Sequence, residues 1–319
     1  MQPPAHSKLI EDSLAGLKLG APQVHLNLAL FPLLARFPGG DRAPDYLLLD
    51  EALGRNLARV TEVSADGRVP ELAFENDSQE KILLVDGDEL LGAKQNRILN
   101  LSILVGGGKK LVIPVSCVEQ GRWSYRRNPS DAFRAAGRSL FAKARARKAL
   151  RVSQAMSTFG ERRSNQSEIW ADVCDKLDAC DTMSATGSMS DIYDESAPQL
   201  DAYVRAFRAE PRQRGAVIAI DGRPVGLELF DSAAAFSRYL EKLARSYALD
   251  AIETSAGKPL APSAAEVQRF LESIKAAAAE RFDALGEGED IRITGAGVAG
   301  GALAAGGRVV HLAGFALAP

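Results

Sequence analysis

Two short stretches hold most of the groups that could do chemistry. The first, VDGDELLGAKQNR at 85–97, sets Asp86, Asp88 and Glu89 ahead of Gln95, Asn96 and Arg97. A carboxylate can hold a cation or move a proton, the amides offer donors and acceptors together, and the arginine presents a planar fork that fits phosphate or carboxylate. Such a set suits a polar, charged ligand; its plainer alternative is a polar turn whose arginine pairs with a nearby acid. The second stretch, IPVSCVEQGRW at 113–123, reads as a strand ending in a bend at Gly121. Strand alternation puts Val115, Cys117 and Glu119 on one face and Ser116, Val118 and Gln120 on the other. Glu89 and Glu119 are the candidate acids or bases, Arg122 is an anion contact, and Trp123 is a plate on which a base or sugar can stack. A nucleophilic Cys117 would need a base to form thiolate, and His6, His25 and His311 are all remote in sequence. Cys117 therefore reads better as a buried structural thiol.

Other motif-like features carry less. Gly295, Gly297 and Gly300 match GxGxxG after the strand-like IRIT, but a dinucleotide fold needs a helix, another strand and an acid about 20 residues further on. The remaining residues read as strand, so a tightly packed hairpin is expected. GGGKK at 106–110 lacks the flanking residues of a phosphate loop and reads as a turn. No H-x-H, HExxH or CxxC pattern supports a zinc or other transition-metal site, and no metal ligands are assigned. The cofactor is unknown; Mg²⁺ held by one or two carboxylates plus a ligand phosphate is compatible with the acids present.

The elements that must position these residues form an α+β pattern. A short helix is expected over Lys8 to Leu17, making residues 1–21 a helical lead to a single domain over 22–319, divisible into a sheet-rich lobe (22–123) and a mixed lobe (124–319). QVHLNLALFPLL alternates as a half-buried strand would, and YLLLDEAL is a shorter candidate. RVTEVSADGRVPELAFEN reads as one hairpin and ILNLSILVGGGKKLVIPVSCV as a second, so the region at about 22–123 is mostly antiparallel sheet. A helical middle follows, with EIWADVCDKLDAC and PQLDAYVRAFRAE. GAVIAIDGRPVGLELF is a further hairpin, and a helix after Asp231 aligns Phe236, Leu240, Leu243 and Tyr247. Another helix opens on the capping box Ser263/Glu266. The glycine-rich end closes as strands.

Composition excludes some classes. With 39 Lys+Arg against 41 Asp+Glu, a net charge of −2, no field draws nucleic acid to the whole molecule. Nucleic acid is the least favoured partner. No apolar run is long enough for a membrane span, no leader pattern opens the chain, and three cysteines without pairing motifs suit a reducing cytoplasm. Locally, residues 126–151 gather Arg126, Arg127, Arg134, Arg138, Lys143, Arg145, Arg147, Lys148 and Arg151 against Asp131 alone. Such a segment can hold phosphate or an acidic partner, or be a solvated helix face beside an acidic neighbour.

DGDELLGAKQNRILNLSILV, then IPVSCVEQGRW, QSEIW at 166–170 and GLELFDS at 226–232 together resemble the family associated with ADP-ribosylglycohydrolases and rhodanese-phosphatases. The resemblance implies a role beside enzymes that handle ADP-ribose and its cyclised or phosphorylated derivatives in NAD-utilising pathways. It carries over onto Glu89, Gly92, Gln95, Asn96, Arg97, Cys117, Glu119, Arg122 and Trp123, with the family's acid falling at either Asp88 or Glu89. Residues and resemblance converge on a site for an ADP-ribose-like or other NAD-derived nucleotide. Glu89 and Glu119 are its catalytic candidates, and Gln95, Asn96, Arg97, Cys117, Gln120, Arg122 and Trp123 its ligand contacts. Three readings follow: a hydrolase or transferase acting on such a ligand, a binding module without turnover, and an interaction protein using the basic 126–151 segment.

Overall fold

Leu28–Ala35 is buried along its whole length because its two faces serve different cores: Leu28 and Leu30 enter one, Ala29, Phe31 and Leu33 the other. Its neighbour Gln213–Ile220 divides the same way, with Ala216 and Ile218 against Val217 and Ala219. The computed structural model describes residues 5–37, 42–124, 132–254 and 260–317.

These two strands sit within a nine-stranded antiparallel sheet that runs Leu17–Leu19, Leu28–Ala35, Gln213–Ile220, Arg223–Phe230, Arg308–Ala316, Val298–Ala305, Glu289–Gly295, Ala278–Asp283, with Gln23–His25 also paired to Leu28–Ala35. The helices Ala5–Ala15 and Ala264–Ala276 cover one face through Ile10, Leu14, Val267 and Ile274. The other face packs on Ala142–Phe159 and on the long helix Ala233–Glu253, whose Phe236, Leu240, Leu243 and Tyr247 are buried as their spacing predicts. Ser232 caps that helix, and Ser263 with Glu266 forms the expected capping box on Ala264–Ala276.

A second sheet of six strands runs Phe133–Ser139, Asp88–Gly92, Arg97–Leu99, Lys110–Cys117, Glu71–Asn76, Ala58–Glu62. A bridge from Thr61 to Ala132 brings its two edges together, so the sheet curls toward a closed barrel. Val60, Leu72, Phe74, Leu90, Leu99, Ile113, Val115 and Phe133 share its core. A three-stranded sheet, Ile103–Val105, Lys81–Leu84, Tyr46–Leu48, lies beside it and contains the parallel pair Tyr46–Leu48 with Lys81–Leu84. Helices over mostly antiparallel sheets make this an α+β fold.

Four expectations need correction. QVHLNLALFPLL is two strands, because Leu26 adopts a positive φ of 49° and buried Asn27 anchors the turn by donating to the Ala251 carbonyl at 2.9 Å. YLLLDEAL is a three-residue strand running into the helix Leu49–Gly54. The run ILNLSILV is no single hairpin arm: Arg97–Leu99 pairs with Lys110–Cys117, then the chain turns at Asn100–Ser102 and Ile103–Val105 joins Lys81–Leu84 in another sheet. The basic segment is a solvated helix face beside acids only in part: Lys143, Arg147 and Arg151 are exposed, whereas Arg145 and Lys148 are fully buried. Arg138 pairs with Glu89, Lys143 with Glu253, Arg145 with Glu228, Arg147 with Asp172, Lys148 with Asp86 and Arg151 with Glu168. Arg126, Arg127 and Asp131 lie outside the described residues.

Candidate functional site

The three acids of VDGDELLG go to three different places. Asp86 precedes the strand Asp88–Gly92 and takes Lys148 and Arg145 from the helix Ala142–Phe159. Gly87 makes this possible: at φ 86° it leaves room where a Cβ would stand 2.7 Å from Ser139 Oγ and 2.9 Å from Arg145 Nε. Asp88 faces the long helix and accepts from Tyr239 at 2.8 Å and Lys242 at 3.0 Å. Glu89, on the opposite face, accepts from Ser190 at 3.0 Å and Arg138 at 2.8 Å. Of the two neighbouring acids, Glu89 is therefore the one in contact with the amide–arginine network.

That network joins both motifs. Gln95 and Asn96 lie in the turn between Asp88–Gly92 and Arg97–Leu99, and Arg97 is in register with Cys117. Asn96 donates to Ser190 Oγ at 3.0 Å, which links it to Glu89, while its backbone N–H donates to Glu119 at 3.1 Å. Arg122 grips Glu119 with two donors, 2.9 and 2.6 Å, and also reaches the Ala93 carbonyl at 2.6 Å. Gln95 donates to the Glu119 carbonyl at 2.9 Å, and its side-chain oxygen accepts from Arg97 Nη1 at 3.0 Å and the Cys117 thiol at 3.2 Å. Glu89, Gln95, Asn96, Arg97, Cys117, Glu119 and Arg122 are all buried. Gln120 is not among them: its side chain is exposed and it contributes only its carbonyl, 3.4 Å from Gln95 Nε2.

The charged groups differ in availability. Burial raises the Glu119 carboxyl, but Arg122, the Asn96 N–H and Thr186 outweigh it, so its pKa falls below the ordinary value. Its oxygens already accept from Arg122, Asn96 and Thr186, so it acts on a ligand proton only if a partner leaves. For Glu89 burial wins over Arg138 and the pKa rises. Burial likewise pushes the Cys117 thiol up against the influence of Arg97, leaving an inert thiol at neutral pH. Arg97 is the exception in its hydrogen bonding. Its Nη1 is satisfied, yet Nε and Nη2 are buried with no hydrogen-bond partner among the described residues. Trp123, 46% exposed, lies over this guanidinium with the ring centroid 5.6 Å away, and Lys94 approaches the same ring at 5.4 Å.

Several partners escaped the sequence reading. Thr186, Ser188 and Ser190 come from SATGSMS, whose spacing as the N-cap of Met189–Glu195 was a visible signal. Gln166 explains QSEIW: its amide accepts from the Cys117 N–H and donates to the Cys117 carbonyl, both at 2.8 Å, replacing a strand neighbour. Arg138 and Glu62, the latter facing Arg97 electrostatically, had no local signature. Among the described residues no group of three or more His, Cys, Asp or Glu could hold a metal ion, so Mg²⁺ at this site would depend on ligand oxygens.

Residues 16–315 match the family model described as the ARG and Rhodanese-Phosphatase-superfamily-associated Protein domain. The chain belongs to this family. The match spans both motifs, both large sheets and the network that joins them. The family's name records association with ADP-ribosylglycohydrolase and rhodanese-phosphatase superfamily proteins. No curated protein and no solved structure matches the chain. Among the described residues no helix is long and apolar enough to cross a membrane.

Proposed function

We propose that this family member binds an ADP-ribose-like or other NAD-derived nucleotide through Arg97 and Trp123. The observation that carries the reading is the guanidinium of Arg97, buried beneath a half-exposed indole with two nitrogens that have no hydrogen-bond partner among the described residues. A buried cation lacking hydrogen bonds is costly, by about 1–3 kcal/mol or more for each unsatisfied group. Two phosphate oxygens facing Nε and Nη2 supply the missing acceptors in the bidentate geometry that suits arginine. The indole then has a base or ribose to stack on, worth about 1–3 kcal/mol. Because Trp123 lies over Arg97, the ring must shift when the phosphate enters. Lys94 adds positive charge at the rim, and Glu119 with Arg122 fixes the turn that carries Gln95 and Asn96.

A cleft of about 800 Å³ bounded by Asp50, Asn56, Arg59, Asp77 and Arg134 is a poorer anion site. Its Arg59 already pairs with Glu75 and Asp77.

Processing of the ligand is the second reading, favoured by Glu89, a buried carboxyl beside the network whose pKa burial raises above the ordinary value. The basic-segment reading is disfavoured because the described cations are mostly paired internally. The test is a thermal-shift screen with ADP-ribose, its cyclic and phosphorylated derivatives, NAD and simple nucleotides, with and without Mg²⁺. Binding to the folded state raises apparent stability by RT ln(1 + [L]/Kd). A shift with an ADP-ribose-type ligand that disappears in Arg97→Met supports the assignment; the absence of any shift across the screen, or one indifferent to Arg97, rejects it.

A further inference from the structure

At one end of the curled six-stranded sheet the apolar core gives way to a polar layer. Strand alternation puts Glu62 on the same face as Val60, Arg97 on that of Leu99 and Cys117 on that of Val115, and Val60, Leu99 and Val115 all belong to the enclosed core. The cross-strand pairs agree: Glu62 lies beside Leu72, and Arg97 lies between Leu90 and Cys117. Because the bridge from Thr61 to Ala132 brings the sheet's edges together, Ala58–Glu62 and Arg97–Leu99 stand three strands apart in either direction round the curl. Glu62 and Arg97 therefore face each other across its end, and the charge of Glu62 acts on the Arg97 guanidinium. Neither satisfies the other. Glu62 is only 8% exposed; its Oε1 accepts from the Lys94 N–H at 3.4 Å, while Oε2, like Arg97 Nε and Nη2, has no hydrogen-bond partner among the described residues. The chain passes this oxygen closely at Gly67, with φ 71°, where a Cβ would stand 3.0 Å from Oε2.

We propose that Glu62 Oε2 accepts from the 2′,3′-diol of the ribose whose phosphate lies on Arg97, so that the site selects ribonucleotides over their deoxy forms. A carboxylate only accepts and a guanidinium only donates, so one ligand that satisfies both presents oxygen acceptors to Arg97 and O–H donors to Glu62. A fully ionised phosphate supplies the first alone; a hydroxyl-bearing sugar joined to phosphate supplies both. The bond from hydroxyl to carboxylate is charge-assisted and strengthened by exclusion of water. The same negative charge opposes the phosphate, so Glu62 favours binding only when the hydroxyls are in place. This inference rests on the nucleotide reading of Arg97 and Trp123 and adds the group that recognises the sugar between phosphate and base.

The test is a calorimetric titration of the full chain, wild type and Glu62→Gln, with ADP, 2′,3′-dideoxy-ADP and ADP-ribose. The readout is the ratio of the dissociation constants for dideoxy-ADP and ADP, in which the repulsion between Glu62 and phosphate cancels. In the wild type dideoxy-ADP is expected to bind about 10- to 100-fold more weakly than ADP, the loss of hydrogen bonds to a charged acceptor. In Glu62→Gln that ratio is expected to fall at least about fivefold, because a neutral amide oxygen accepts more weakly. A wild-type ratio near one overturns the proposal without requiring any variant to fold. So does a ratio unchanged in folded Glu62→Gln. In both cases the nucleotide reading still stands if binding is lost in Arg97→Met. Failure of the wild type to bind ADP while it binds ADP-ribose also overturns the proposal, and failure to bind either overturns the nucleotide reading with it.

Discussion

Arg97 is where sequence chemistry and folded geometry meet most closely. Trp123→Ala is expected to weaken nucleotide binding by about 10- to 100-fold, the loss of one stacked base, with little change in unfolding midpoint because the ring is half exposed. Calorimetric titration checks it. Asp172 carries a separate signature in pH. Burial pushes its carboxyl from 3.8 up to about 6, despite Arg147. The unfolded chain therefore loses this proton before the folded one does, so the contribution to stability is full below about 4 and is lost as pH rises through about 6, on the order of 2–3 kcal/mol. Denaturant midpoints at pH 5 and pH 7.5 should show Asp172→Asn gaining on the wild type at the higher pH; parallel profiles would refute the assignment. The acids, amides and arginines of the two motifs were legible because their residue types cluster locally. Glu62, Arg138 and Gln166 were not, since only tertiary pairing brings them to Arg97, Glu89 and Cys117.

Among the elements, the helix Ala142–Phe159 was the most misleading in sequence. Its cations suggested a docking face, yet Arg145 and Lys148 are buried against Glu228 and Asp86, whose positions 83 and 62 residues away gave no local hint. Arg145→Met leaves Glu228 enclosed without its main partner and should cost about 3–5 kcal/mol, whereas exposed Arg134→Ala should stay within about 0.5 kcal/mol. Urea unfolding of the two variants distinguishes a structural from a docking role for this segment. The long helix Ala233–Glu253 was legible from its apolar spacing, but its close approach to the sheet was not. A Cβ on Gly226 would stand 1.9 Å from Tyr247 Oη, so Gly226→Ala is expected to destabilise by at least about 1–3 kcal/mol. Tyr247→Phe, which removes a buried hydroxyl lacking a partner among the described residues, should be neutral or stabilising in the same assay.

For the whole molecule, strand alternation revealed the antiparallel class and the glycine-rich closing strands. It did not reveal that Ile103–Val105 leaves its neighbours for another sheet, because an apolar run of this kind reads the same in either partner. The pairing of Arg97–Leu99 with Lys110–Cys117 is what turns two motifs, separate in sequence, into one network: Arg97 and Cys117 meet in register, and the chain beyond Cys117 returns Glu119, Arg122 and Trp123 to the turn that holds Gln95 and Asn96. The family match over residues 16–315 covers this arrangement as a unit. The most direct test of the account is a fluorescence titration with ADP-ribose on a Trp170→Phe background, which leaves Trp123 as the reporting indole. The account predicts a saturable change in Trp123 emission that is lost in Arg97→Met. Binding detected by calorimetry with Trp123 silent, or a response that survives Arg97→Met, would contradict it.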